Sequence, residues 1–248
     1  MTDERPDRGR IRLVVLFGGQ SAEHDVSCVT AKHVVGAADP ARYRLDPVGI
    51  TRDGGWVRAE DARAAIEQGA AALPEALSAD GTSIDHESAI VPVAEDETVV
   101  VFPLLHGPMG EDGTVQGLLE QAGVPYVGAG VLGSAVAMDK AMAKDVLAAK
   151  GIPQAKWLAY RSTDVTELPV DEIEAELGLP CFVKPANLGS SVGVTKAHDR
   201  DELVAALELA FSYDEWIVVE EAIVGREIEL AVLGNTDLAV SVPGEVRP

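Results

Sequence analysis

Cysteine is scarce in this 248-residue chain, and Cys28 and Cys181 stand too far apart in sequence for a zinc or redox spacing. Each reads as a small buried apolar residue. Aromatics supply only 4% of the residues, so alanine, valine and leucine must fill the interior. Basic residues are outnumbered, 20 against 41 acidic, which leaves a formal net charge of −21. That balance speaks against general binding to nucleic acid or anionic membrane, since both need basic patches. It still permits a nucleotide in a pocket, where a few placed lysines outweigh the global field. No apolar run approaches membrane-spanning length, and the polar lead-in at 1–10 offers no apolar stretch for a signal peptide. The expectation is a cytoplasmic protein without membrane or nucleic-acid partners. The rest is ordinary: 47% hydrophobic and 25% charged residues, in a chain long enough for two domains.

Residues 13–17 form a continuous apolar run, as in a parallel strand buried on both faces. Gly18 and Gly19 then turn the chain into a helix capped by Ser21, with Val26, Val29, His33 and Val34 on one face. A strand over 45–50, a turn at Asp53-Gly54-Gly55, a helix over 62–68 and a strand over 99–105 follow; the pattern is weaker between 70 and 97. A helix over 114–121 and a short strand at 125–127 complete an alternation that predicts a parallel α/β layer. Beyond residue 128 the character changes. A long helix is expected over 134–150, then strand-like segments at 155–160, 181–184, 192–196, 216–220, 228–233 and 238–242. Helices over 170–177 and 202–210 intervene, so this half predicts an antiparallel sheet with helices on one face, an α+β domain.

Several segments carry chemistry. His106-Gly107-Pro108-Met109-Gly110-Glu111-Asp112-Gly113 is too rich in glycine and proline for regular structure. It reads as a polar loop at the carboxyl end of a strand, where open α/β sheets bind ligands. Gly128-Ala129-Gly130-Val131-Leu132-Gly133 matches the dinucleotide pattern G-x-G-x-x-G, but no acid closes the strand that follows, so an inter-domain turn is the better reading. No P-loop sequence occurs. From Lys184 to Gly193 a strand ends in a lysine and a Gly/Ser loop returns to a strand, as a flap over phosphates would or as a solvated hairpin would. Glu220, Glu221 and Glu227 surround an apolar strand junction suited to a base and a ribose, or are exposed acids of an acidic protein. Lys140 and Lys144, four apart, read as a solvated helical face. Glu23 falls in a first helical turn, where acids complement the dipole.

Together the segments 18–27, 106–117, Met138-Asp139-Lys140 and 184–193 resemble, in order, the D-alanine–D-alanine ligases of the ATP-grasp superfamily. The resemblance runs from about Ile11 to the end of the chain. It implies an N-terminal α/β (pre-ATP-grasp) domain over 11–128, a central ATP-grasp subdomain over 129–224 and the start of a C-terminal one over 225–248. The activity implied joins two D-alanines through an acyl phosphate, using ATP and Mg²⁺, for the cell-wall precursor. By motif, Glu23 and Ser190 would form the catalytic hydrogen-bond network, with Glu23 and His106 beside the first D-alanine. Lys140, Lys184 and Ser191 would meet the ATP phosphates, Glu220, Glu221 and Ile223 the adenine, and Glu227 the ribose. The C-terminal part of the family pattern is expected to be absent, with no metal ligand before residue 248. The alternatives are a truncated, non-catalytic ATP-binding remnant and a D-alanine–D-lactate type of ligase. A homodimer is the oligomer the resemblance implies.

Overall fold

Strand β1 (Ile11–Gly18) buries every residue after its first, because helices cover both of its faces. The structure is a computed structural model and describes residues 10–92 and 97–247; apart from Arg10, the polar lead-in lies outside the described residues. Side chains of β1 alternate between two cores. Val14 and Leu16 face α3 (His86–Ile90) and α4 (Thr114–Gln121), while Leu13, Val15 and Phe17 face α1 (His24–Ala37) and α2 (Glu60–Gln68). Strand β1 pairs in parallel with β2 (Tyr43–Ile50) on one side and with β5 (Val99–Pro103) on the other.

The outer strands correct the expectation of a wholly parallel sheet. The turn at 53–55 is a hairpin, so β3 (Trp56–Arg58) runs antiparallel to β2, and β4 (Thr82–Ser83) antiparallel to β3. The sheet is therefore mixed, in the order β4-β3-β2-β1-β5. Helix α1 also turns a different face inward. His24, Ser27, Cys28, Ala31 and Val35 are buried, whereas Val26, Val29 and His33 are exposed. Polar residues win this face because they satisfy main-chain groups at strand ends. The Ser27 hydroxyl donates to Leu104 O (2.5 Å) and accepts from Gly18 N (2.8 Å), and His24 Nδ1 donates to Gly19 O (2.7 Å).

The long helix expected over 134–150 is two helices, α5 (Val131–Met138) and α6 (Lys140–Ala149). Asp139 leaves helical geometry (φ −81°, ψ 106°) and restarts the chain as an N-cap, accepting from Met142 N at 3.0 Å. The helix opened at 131 leads into a different sheet, so the glycines at 128–133 do not sit in a βαβ unit. That second sheet, in the order β6-β9-β7-β8, is antiparallel, as expected. Its strands are β6 (Trp157–Arg161), β7 (Cys181–Pro185), β8 (Thr195–Ala197) and β9 (Trp216–Glu221). Helices α7 (Val170–Glu176) and α8 (Arg200–Tyr213) cover one face through Ile173, Leu203 and Leu207. Beyond it lie two small exposed ribbons. One pairs β10 (Glu227–Glu229) with β13 (Gly244–Val246), the other β11 (Val232–Leu233) with β12 (Ala239–Val240). The strand expected over 228–233 is thus broken between them. Among the described residues, no helix is long and apolar enough to cross a membrane.

One polar cluster is sealed under the first sheet. Arg12 is buried, donates to Asp46 (2.8 Å) and also to the carbonyls of Ala89 (2.9 Å) and Val91 (3.0 Å); Arg63 donates to the other oxygen of Asp46. Arg12→Ala strands two carbonyls and weakens the pairing of a buried carboxylate, and should cost about 3–5 kcal/mol. Arg161→Ala, which breaks an exposed pair with Glu215, should cost about 1 kcal/mol or less. Thermal melts of both variants check this, and equal shifts would contradict it.

Candidate functional site

Strand order reverses between β1 and β5, and open sheets bind ligands at the carboxyl ends of such a pair. Ser27 ties these two ends together through Gly18 and Leu104. The loops that leave them, 19–23 and 104–113, are the glycine-rich segments singled out above. Glu23 lies at the N-cap of α1 rather than in its first turn, and its side chain caps nothing. Instead it accepts a hydrogen bond from Ser190, 167 residues away on the loop between β7 and β8. A Cβ on Gly107 would stand 2.8 Å from Glu23 Oε2, and one on Gly189 would stand 3.0 Å away. Both loops therefore close tightly on the Glu23 carboxylate, and Gly107 does so with left-handed backbone (φ 72°). Ser190 (φ 46°) and Ser191 (φ 56°) hold left-handed backbone, a strained geometry for serine that aims the loop at the crevice.

His106 stands on the opposite loop. The Thr30 hydroxyl donates to Val26 O (2.9 Å), so His106 Nε2 must be the donor in its 3.3 Å contact with Thr30. Glu111 accepts from Gly107 N (2.7 Å) and brings its other oxygen to 3.9 Å from His106 Nδ1. Asp112 accepts from Met109 N (2.8 Å) and Thr114 N (2.9 Å). Burial pushes the Asp112 carboxyl up, but these donors outweigh it and hold it below the usual carboxylate range. Between this loop and the Ser190 loop is a cavity lined by Ser21, Glu23, Pro108, Met109, Gly189 and Val192.

A second cluster lies on the face of the β6–β9 sheet away from α7 and α8. Lys184 Nζ donates to Glu220 Oε2 (2.5 Å), and Lys144 Nζ lies 2.9 Å from Glu220 Oε1. Burial pushes Glu220 up, and the two lysines outweigh it, keeping the carboxyl below its ordinary value. Lys140 Nζ donates to Leu188 O (2.5 Å), inside the same loop that carries Ser190. Burial, and then the nearby Lys184, lower the Lys140 pKa. The two clusters thus share one loop, 186–193. Glu221 is occupied with the start of β6, accepting from Lys156 N at 2.8 Å. Ile223 and Glu227 are exposed, and among the described residues no hydrogen bond or ion pair joins them to the lysines. No individual site role followed from the sequence for Lys144, Thr30 or Glu111. For Lys144 the signal was its spacing from Lys140, and its side chain is only 13% exposed. Among the described residues, no group of three His, Cys, Asp or Glu side chains is arranged to hold a metal.

Two family models match this chain, "D-ala D-ala ligase N-terminus" over residues 12–129 and "D-ala D-ala ligase C-terminus" over 146–248. The second match corrects the expectation that the C-terminal part of the family pattern is absent. The D-alanine–D-alanine ligase of Bacillus pumilus is 47% identical over 252 residues, covering 96% of this chain and 68% of its own. That of Geobacillus kaustophilus is 48% identical over 249 residues, covering 96% and 67%. Among solved structures, the D-alanine–D-alanine ligase from Coxiella burnetii superposes with TM-score 0.77 at 35% identity, covering 96% of this chain and 71% of its own. The VanG D-Ala:D-Ser ligase from Enterococcus faecalis superposes with TM-score 0.77 at 35% identity, covering 96% and 70%. In sequence, in both halves of its fold and in the order of its site segments, the chain belongs to the D-alanine–D-alanine ligase family.

Proposed function

We propose that this protein joins two D-alanines at the expense of ATP, by way of an acyl phosphate, to supply the cell-wall precursor. The observation that carries this reading is the shared loop 186–193, which reaches the Glu23 crevice with Ser190 and the lysine cluster with its carbonyls. A carboxylate resists attack by an amine, so the reaction needs both a phosphoryl donor and an amino acid in one crevice. Glu23 holds the ammonium of the first D-alanine, with His106 beside the same substrate. Lys140, Lys184 and Ser191 hold the phosphates, where backbone N–H groups of the Gly/Ser loop add donors. Glu220, Glu221 and Ile223 border the adenine, and Glu227 the ribose. One carboxylate oxygen of the first D-alanine attacks the γ-phosphorus of ATP, and ADP leaves. The neutral amine of the second then attacks the acyl carbon, gives up a proton, and phosphate leaves with that oxygen. In this reading Mg²⁺ accompanies ATP; among the described residues no set of side chains fits a metal site. The domain divisions at 128/129 and 224/225, a homodimer and a cytoplasmic location belong to the same proposal.

The likeness to a D-Ala:D-Ser ligase leaves the second substrate as the part to be tested directly. With ATP and Mg²⁺, phosphate release should rise with D-alanine more than with D-serine or D-lactate. Release that follows another second substrate would revise the specificity. ATP binding with no release would instead support the non-catalytic remnant.

Two substitutions separate the half-sites. Lys184→Ala should weaken ATP binding by about 1.5–3 kcal/mol, the worth of a charge-assisted contact. Glu23→Gln should raise the KM for D-alanine and leave ATP affinity unchanged. Calorimetric titration with ATP and steady-state kinetics check the pair. Loss of ATP affinity in the Glu23 variant, or none in the Lys184 variant, would contradict the assignment.

A further inference from the structure

Lys144 has no part in the reading above, yet it is embedded in the lysine cluster. Lys140, Lys144 and Lys184 gather on one sheet face of a protein with a formal net charge of −21. Their contacts differ. Lys140 is held by main-chain carbonyls, whereas Lys144 and Lys184 share the two oxygens of Glu220. Strand register builds this sharing. Glu220 pairs with Phe182 on one side and with Trp157 on the other, so the three side chains form one row across the sheet. Lys184, two residues after Phe182, falls on the same face. Lys144 approaches from α6, with its Nζ 5.9 Å from the Trp157 ring centroid and its carbonyl accepting from Gln154 Nε2 at 2.8 Å. Lys184 instead stands at the strand end that feeds the 186–193 loop.

Under the nucleotide reading, on which this inference rests, Lys184 must turn from Glu220 to a phosphate. Glu220, whose side chain is 15% exposed, would then face a polyanion with one partner gone. A buried carboxylate in that position opposes binding unless another cation stays with it. We propose that Lys144 is a positioning residue that keeps Glu220 when Lys184 turns to the phosphates, without itself touching the nucleotide. Glu220 is a competitor for Lys184, and Lys144 weakens that competition by sharing the carboxylate. Removing Lys144 leaves Glu220 gripping Lys184 alone. Removing the charge of Glu220 removes the competitor, and with it the need for Lys144.

Tripolyphosphate is the probe, because it lacks a base and reads the lysines without any contact between Glu220 and adenine. Calorimetric titrations with tripolyphosphate and with ATP, both in EDTA, would compare the wild type with Lys144→Met, Lys144→Arg, Glu220→Gln and the Met/Gln double variant. Lys144→Met should weaken tripolyphosphate by about tenfold in the wild-type background and by less than about twofold beside Glu220→Gln. Lys144→Arg should restore most of the loss, and Glu220→Gln alone should tighten tripolyphosphate. Equal losses from Lys144→Met in both backgrounds would mean that Lys144 touches phosphate directly, and would overturn the inference. So would unchanged or weaker binding by Glu220→Gln, a readout that stands even if Lys144→Met fails to fold. A wild type that binds neither probe, in EDTA or with Mg²⁺, overturns the nucleotide reading itself, whereas one that binds both and shows equal losses overturns the inference alone.

Discussion

The burial of β1 on both faces is the constraint from which the rest of the architecture follows. A strand with apolar side chains on both faces needs helices above and below, and parallel neighbours with long crossovers supply them. The carboxyl ends of β1 and β5 then become an open edge whose main-chain groups need partners. Ser27 and His24 provide them from α1, which is why that helix buries polar residues and exposes Val26 and Val29. Glycine at 107 and at 189 lets two loops close on the Glu23 carboxylate. The crevice at Glu23 is thus a consequence of how the sheet ends.

The second half of the site is an electrostatic problem. Three lysines are drawn together in an acidic protein, partly out of water, and like charges in that setting disfavour one another. Glu220 offsets the repulsion for two of them, and the carbonyls of the 186–193 loop accept from the third. On the proposed reading, a polyphosphate draws Lys184 from Glu220 while Lys144 keeps the carboxylate.

Much of this was legible in the residues. The apolar run at 13–17, the glycine-rich loop at 106–113, the lysine-bearing strand before the Gly/Ser loop and the antiparallel second sheet all follow from composition and spacing. The failures have physical causes. In α1 two stripes compete, and hydropathy favours the one that the strand ends do not need. Asp139 lies inside a helical pattern, and only its turn to cap Met142 N shows that the helix restarts. Lys144 shares the spacing of any solvated helical pair, and its worth depends on Glu220, distant in sequence. The contact between Glu23 and Ser190 is likewise invisible to local pattern; each residue alone reads as a helix-terminal acid or a turn serine.

The central claim is that a D-alanine carboxylate oxygen receives the phosphoryl group in the crevice between Glu23 and the lysines. D-alanine labelled with ¹⁸O in its carboxylate, turned over with ATP and analysed by mass spectrometry of the phosphate released, tests it most directly. An acyl phosphate broken by the second amine leaves one labelled oxygen on phosphate for each dipeptide bond formed. Unlabelled phosphate, with the label intact in the product, would contradict the account.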